Sequence, residues 1–163
     1  MYGVLVLGNF WHWSGGFGQY VRWAEEASVA DRPKKAVRTI PYPQFNRGLS
    51  WLTFMNYADD FYRDEAAKAH FKYHVLKIIK RVNTFTQQPY TADPTIMAWQ
   101  LANEPKCGPG YQNIRAYRRW IRETVAYIRA EDPNHLISTG SEGLESESYL
   151  SFSKIRRLNF IKN

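Results

Sequence analysis

The chain has 163 residues, 44% hydrophobic and 23% charged, with a formal net charge of +7. That is about one domain of chain with enough apolar content for a core, which excludes disordered and fibrous classes. It falls short of the roughly 250 residues of a complete (β/α)8 barrel. Its longest apolar run, Val4–Leu7, is far below the roughly 20 residues of a membrane span.

In chain order, Gly3–Leu7 is short, β-branched and continuously apolar, as expected of a parallel strand buried on both faces. A loop rich in Trp and Gly follows from Asn9 to Gly18, then a short helix around Gln19–Ala27. Residues 28–49, with Asp31-Arg-Pro33, Pro41, Pro43 and Asn46-Arg-Gly48, predict a long excursion without regular structure. Asp64–Val82 is the clearest helix, because Ala67, Phe71, Val75, Ile78, Ile79 and Val82 recur three or four apart. Thr95–Leu101 reads as a second buried strand that ends in Ala102-Asn103-Glu104-Pro105. Tyr111–Ala130 reads as a second strong helix, with Tyr111, Tyr117, Trp120 and Tyr127 mostly as helix packing. Asp132-Pro133-Asn134 breaks it, and His135–Thr139 forms a third strand before Gly140-Ser-Glu-Gly143.

This alternation of strands and helices implies parallel strands joined by helical crossovers. Residues 1–147 are assigned to that unit and residues 148–163 to a basic tail. The tail holds Lys154, Arg156, Arg157 and Lys162 without an acid, so more than half of the net charge lies outside the unit. No nucleic-acid partner is expected from so local an excess. In parallel folds the chemistry gathers at the carboxyl ends of the strands. Three such ends carry polar or aromatic clusters: Asn9 with Trp11 and Trp13, Asn103 with Glu104, and Ser141 with Glu142.

Glu104 is the first candidate for catalysis. It follows a buried strand directly, between Asn103 and Pro105, and Trp99 and Leu101 would give it apolar surroundings, which suit a general acid. The alternative is a cap or surface acid. Gly15-Gly-Phe-Gly18 lacks the pattern of a phosphate loop and reads as a turn beneath the Trp pair. His70 and His74 stand i, i+4 on a helix without a third ligand and read as solvated. Cys107 has no His partner nearby in the sequence and reads as structural. No metal or other cofactor is expected.

Trp99-Gln-Leu-Ala-Asn-Glu-Pro105 resembles the Asn-Glu-Pro signature of glycoside hydrolase family 5. Asn9-Phe-Trp-His-Trp-Ser-Gly-Gly16, with Tyr20-Val21, resembles the strand-3 loop of that family's endo-β-1,4-mannanases. The two motifs stand about 90 residues apart, with Lys106-Cys107 after the Pro, and the resemblance runs from about Tyr2 to Gly143. It implies a partial (β/α)8 TIM barrel whose three parallel strands correspond to strands 3, 4 and 5. It also implies that Glu104 is the acid/base of a retaining hydrolysis of mannan-type polysaccharide. Asn103 would then bind the sugar 2-hydroxyl and Trp11 would line the cleft. Asn9, Trp13 and Glu142 are further substrate-binding candidates, and Glu142 reads equally well as a loop acid paired with a basic residue.

A retaining glycosidase needs a second carboxylate, the nucleophile, which the family carries on strand 7. No counterpart is legible here, so the chain by itself is expected to be inactive, and Leu144–Asn163 reads as a truncated or frame-shifted end. Other family 5 specificities (cellulase or xylanase) and a non-catalytic carbohydrate-binding remnant remain alternatives. No signal peptide is visible, although the parent enzyme is expected to be secreted or periplasmic.

Overall fold

The computed structural model describes residues 1–30 and 48–142. Three strands form one parallel sheet in the order β1 (Gly3–Val6), β2 (Ile96–Gln100), β3 (Leu136–Ser138). Between β1 and β2 lie α1 (Gly16–Ala30), α2 (Gly48–Asp59) and α3 (Glu65–Ile79), and α4 (Tyr111–Glu131) joins β2 to β3. This is the expected run of consecutive units of a partial (β/α)8 barrel.

The register sorts the side chains into two rows. Leu5, Trp99 and Ile137 are aligned across the sheet, as are Val6, Gln100 and Ser138. Successive strand residues point to opposite faces, so these rows lie on opposite sides. The first row faces the helices, with Trp99 and Ile137 closed to solvent. The second row is polar at two of its three positions and runs toward the strand ends that carry Asn103 and Glu104.

The expectation that the first strand is buried on both faces is corrected. Val4 is 40% exposed and Val6 49%, because the helices cover only the face carrying Leu5 and Leu7. Among the described residues β1 pairs only with β2, which leaves its other edge open.

Between the helices lies an aromatic core. The Phe17 ring stacks on Phe61 at 4.1 Å, and both meet Trp120 edge-on at 5.3 and 5.8 Å. Phe71 closes the cluster at 5.8 Å from Phe17. Each ring is fully buried or nearly so, and burying one contributes about 2–3 kcal/mol from apolar area. The high aromatic content is therefore largely a packing feature.

Local signals explain the helix ends. Asp64 caps α3 by accepting from the Ala67 N–H at 2.9 Å, while Glu65 and Lys77 suit the dipole at its two ends. α4 stops where Asp132 takes extended geometry before Pro133. α1 begins earlier than expected, at Gly16, and extends to Ala30. α2 was not legible as a helix: GLSWLTFMNYAD is apolar almost all round, so no period stands out. Of the expected excursion over residues 28–49, residues 31–47 lie outside the described residues, and the flanks belong to α1 and α2. The basic tail at 148–163 also lies outside them.

Candidate active site

The sheet's hydrogen bonding continues past the strand ends and builds the site. Leu7 N–H donates to the Gln100 carbonyl, Asn103 N–H to Gly8, Phe10 N–H to Asn103, and Glu104 N–H to Gly140, all at 2.8–3.1 Å. Asn9 and Asn103 thereby face each other across a parallel bridge. The backbone of Glu104 is left-handed, with φ of 48°. For a residue with a Cβ this costs roughly 1–3 kcal/mol, the kind of strain that accumulates at functional sites.

Two glycines make this geometry possible. Gly140 has φ of 79°, and a Cβ there would lie 1.9 Å from the Ala102 carbonyl oxygen. The close approach lets Gly140 accept the Glu104 N–H at 3.0 Å. Gly16 has φ of 62°, and a Cβ there would lie 2.0 Å from the Trp11 carbonyl oxygen. As expected, the glycine run turns the backbone tightly beneath the tryptophan pair, and α1 starts at once.

Trp11 and Glu104, 93 residues apart, are joined directly: the indole N–H donates to Glu104 Oε2 at 2.8 Å. The Trp11 ring is only 8% exposed. Trp13 stacks on it at 5.4 Å, Phe54 lies nearly parallel to it at 6.1 Å, and Trp51 meets it edge-on at 5.4 Å. Trp13 itself is 61% exposed. The outer ring of the pair is thus the one open to solvent, while the inner ring is turned to the carboxylate.

Lys106 completes the cluster. Its ammonium sits 5.0 Å over the Trp11 ring and 2.8 Å from Glu142 Oε1. Glu104, Trp11, Lys106 and Glu142 therefore form one connected chain of polar and cation–π contacts. Glu142 is engaged by a basic residue, as the loop-acid alternative anticipated.

The sequence candidates other than Trp11 fall into two adjoining hollows; Trp11, expected to line the cleft, is buried and lines neither. Asn103, Glu104 and Glu142 line a cleft of about 360 Å³ at the carboxyl ends of β2 and β3. Asn9 and Trp13 line a larger groove of about 890 Å³ beside β1, and Asn103 belongs to both. Both ends of the Asn9 amide are used locally. Its Oδ1 accepts from Trp11 N–H at 3.0 Å and from the Asn103 amide at 3.4 Å, and its Nδ2 donates to Ser14 Oγ at 2.8 Å.

Sequence reasoning missed Gln100 and Ser138, which form the cleft's floor. Their signal was present: each is the polar residue that closes an apolar strand, and the register places the two side by side. Trp99 is not part of the surroundings of Glu104 as expected. Its ring lies in the helix layer, where its N–H donates to Asp132 Oδ2 at 2.6 Å.

Behind the site, two side chains hold the loop that follows Glu104. Tyr117 donates its hydroxyl proton to the Pro105 carbonyl at 3.2 Å, and Gly108 N–H donates to Asp59 Oδ1 at 3.1 Å. Burial pushes the Asp59 carboxyl above its ordinary value despite the Gly108 N–H and the Arg63 guanidinium. Desolvation likewise pushes the Cys107 thiol up to about 11, so it stays protonated and unreactive at neutral pH. His70 and His74 are exposed, beside Trp23 and Tyr20. Among the described residues there is no group of three or more His, Cys, Asp or Glu that could hold a metal ion. No helix among them is long and apolar enough to cross a membrane.

Comparison with known proteins agrees with this geometry. A family model described as glycoside hydrolase family 5, β-mannosidase-like, matches residues 1–161. Mannan endo-1,4-beta-mannosidase 8 of Oryza sativa subsp. japonica is 36% identical over 140 residues, covering 86% of this chain and 31% of the relative. The crystal structure of a family 5 mannosidase from Rhizomucor miehei superposes with a TM-score of 0.74 at 36% identity, over 97% of this chain and 33% of that one. The endo-1,4-β-D-mannanase of Thermotoga petrophila does so with a TM-score of 0.63 at 34% identity, over 88% of this chain and 32% of that one. The chain thus spans about 30% of the length of such relatives.

Proposed function

The chain belongs to the glycoside hydrolase family 5 β-mannosidase-like family, and from that premise we propose that it carries the acid/base side of a retaining β-1,4-mannan hydrolase site. The observation that carries this reading is the placement of Glu104. Its carboxylate stands at the end of the central strand, in a cleft, with an indole N–H fixed on Oε2.

In the first step Glu104, protonated, gives its proton to the glycosidic oxygen as the bond to the leaving sugar breaks. In the second, the resulting carboxylate takes a proton from the incoming water. Trp11 fixes one oxygen by its N–H and so selects which face of the carboxyl group meets the glycosidic oxygen. Asn103 binds the 2-hydroxyl of the reacting sugar, a contact that tightens as the ring approaches an oxocarbenium ion. Asn9 holds the Asn103 amide, and Trp13 offers an exposed ring to the apolar face of a pyranose. Glu142 contacts substrate or steers Lys106, to which it is paired.

Retention requires a nucleophilic carboxylate about 5–5.5 Å from the acid/base. Glu142 is committed to Lys106, so turnover needs a carboxylate supplied from outside the described cleft. In this reading the 163-residue chain alone binds mannooligosaccharide weakly and hydrolyses nothing. The substrate is a β-mannan, and a polymer of that size places the parent enzyme outside the cytoplasm, secreted or periplasmic. The test joins the chain to the remaining barrel strands of a family relative and follows reducing-sugar release. Release from mannan well above that from cellulose or xylan supports the proposal, and preference for cellulose or xylan replaces it with another family 5 specificity.

A further inference from the structure

Helix α4 carries a one-signed outer face that neither the core nor the cleft uses. Its inward face buries Tyr117, Trp120, Ile121, Val125 and Ile128. Its exposed positions hold Tyr111, Gln112, Arg115, Arg119 and Arg122, followed only by alanine toward the carboxyl end. No acid stands among them. The two acids of the helix are already paired: Glu123, one turn beyond Arg119 at the edge of this face, with Lys68 at 3.5 Å, and Glu131 with Lys80 at 2.5 Å. None of the three arginines has an ion-pair partner among the described residues.

This arrangement works against the helix that bears it. Arg115 and Arg119 are like charges one turn apart, which repel. An external anion bound across the three guanidinium groups would relieve this repulsion.

Tyr111 indicates which anion. It was expected to pack with the helix, but its ring is 74% exposed, one turn ahead of Arg115 on the same face. An exposed ring in line with three guanidinium groups offers a stacking surface for a sugar and forked donors for carboxylates at once. From Arg115 to Arg122 the stripe runs about 10 Å, the length of about two consecutive sugars. An anionic membrane would need an apolar anchor, and the rest of this face holds only alanine. We propose that the outer face of α4 is a binding surface for an acidic polysaccharide of the polyuronate type. It is separate from the cleft and holds whether or not Glu104 is an acid/base.

The test uses the full 163-residue chain. Binding to polygalacturonate is measured by affinity electrophoresis over a range of salt concentrations, beside the variant Arg115→Gln/Arg119→Gln/Arg122→Gln and the single variant Tyr111→Ala. The expected result is salt-sensitive binding that drops at least tenfold in the triple variant and severalfold in Tyr111→Ala, with circular dichroism unchanged. Both variants keep Lys154, Arg156, Arg157 and Lys162. Undiminished binding by the triple variant would therefore assign the affinity to that cluster and overturn the proposal. Equal or tighter binding to duplex DNA or to phosphatidylserine vesicles would also overturn it, as would no binding to polygalacturonate at low salt.

Discussion

The indole N–H of Trp11 points at Oε2 of Glu104 across 2.8 Å, from a ring that is almost closed to solvent. The tryptophan that the family resemblance assigns to the cleft wall is a hydrogen-bond donor to the carboxyl group proposed to transfer the proton. Trp11→Phe keeps a ring in the packing between Trp13 and Phe54 and removes only the donor. A hydrogen bond to a charged group is worth about 1.5–3 kcal/mol. In a barrel completed with strands from a relative, kcat on mannan should fall roughly 10- to 100-fold. KM should change little, because the bond acts on the carboxylate and not on bound sugar. A rise in KM with kcat unchanged would make Trp11 a plain substrate contact.

Trp13 should behave in the opposite way. Its ring is exposed beside the groove, and no hydrogen bond of its indole is needed for the account. Trp13→Ala should weaken mannooligosaccharide binding, measured by calorimetry, about tenfold while leaving unfolding by urea within roughly 0.5 kcal/mol of the parent chain. Unchanged affinity would remove Trp13 from the sugar path.

Gly140→Ala should disturb Glu104 from a distance. The new Cβ would fall 1.9 Å from the Ala102 carbonyl oxygen, in a backbone conformation that favours glycine. Nothing rigid can yield by that much, so a loss of at least roughly 2–3 kcal/mol in urea unfolding is expected. A stability within 0.5 kcal/mol of the parent chain would contradict the close approach of the β3 end to the loop of Glu104.

The carboxyls of Asp59 and Asp132 should give stability profiles of opposite slope. At Asp132, burial opposes ionisation. The Trp99 and His135 side chains and the backbone N–H groups of Asn134 and His135 outweigh it and hold the carboxyl below its ordinary value. Its contribution is complete above about pH 4 and is lost as pH falls through the lowered value. At Asp59, burial raises the carboxyl, so the folded chain takes up this proton more readily than the unfolded one. Stability from this group therefore increases as pH falls through the raised value. Urea unfolding between pH 7 and pH 3 should show Asp132→Asn closing its deficit toward the parent as pH drops. The Asp59→Asn comparison should move the other way, in favour of the parent. Parallel curves for the two variants would contradict the signs.

Much of this architecture is legible in the residue pattern alone. The periodic apolar residues of α3 and α4 and the β-branched runs announced the strands and crossovers. Asn103-Glu104-Pro105 after a buried strand announced the cleft. What escaped did so for identifiable reasons. α2 has only a weak amphipathic period because apolar Leu52 stands exposed opposite the buried Phe54, Tyr57 and Ala58. The exposure of Val4 and Val6 depends on what covers the sheet, which a local pattern does not encode. The bond between Trp11 and Glu104 spans 93 residues and appears only once Asn9 and Asn103 are bridged. Gln100 and Ser138 close their strands, and only the register sets them side by side as part of one cleft.

The most direct test of the account concerns the proton on Glu104. In the completed barrel, Glu104→Gln should be compared with the parent on mannan and on a 2,4-dinitrophenyl β-mannoside, whose leaving group needs no protonation. The account predicts a loss of at least a thousandfold on mannan. The aryl mannoside should still give a burst of dinitrophenol, because bond cleavage survives while the second step stalls. Mannan hydrolysis within tenfold of the parent would contradict it, as would equal, complete loss on both substrates.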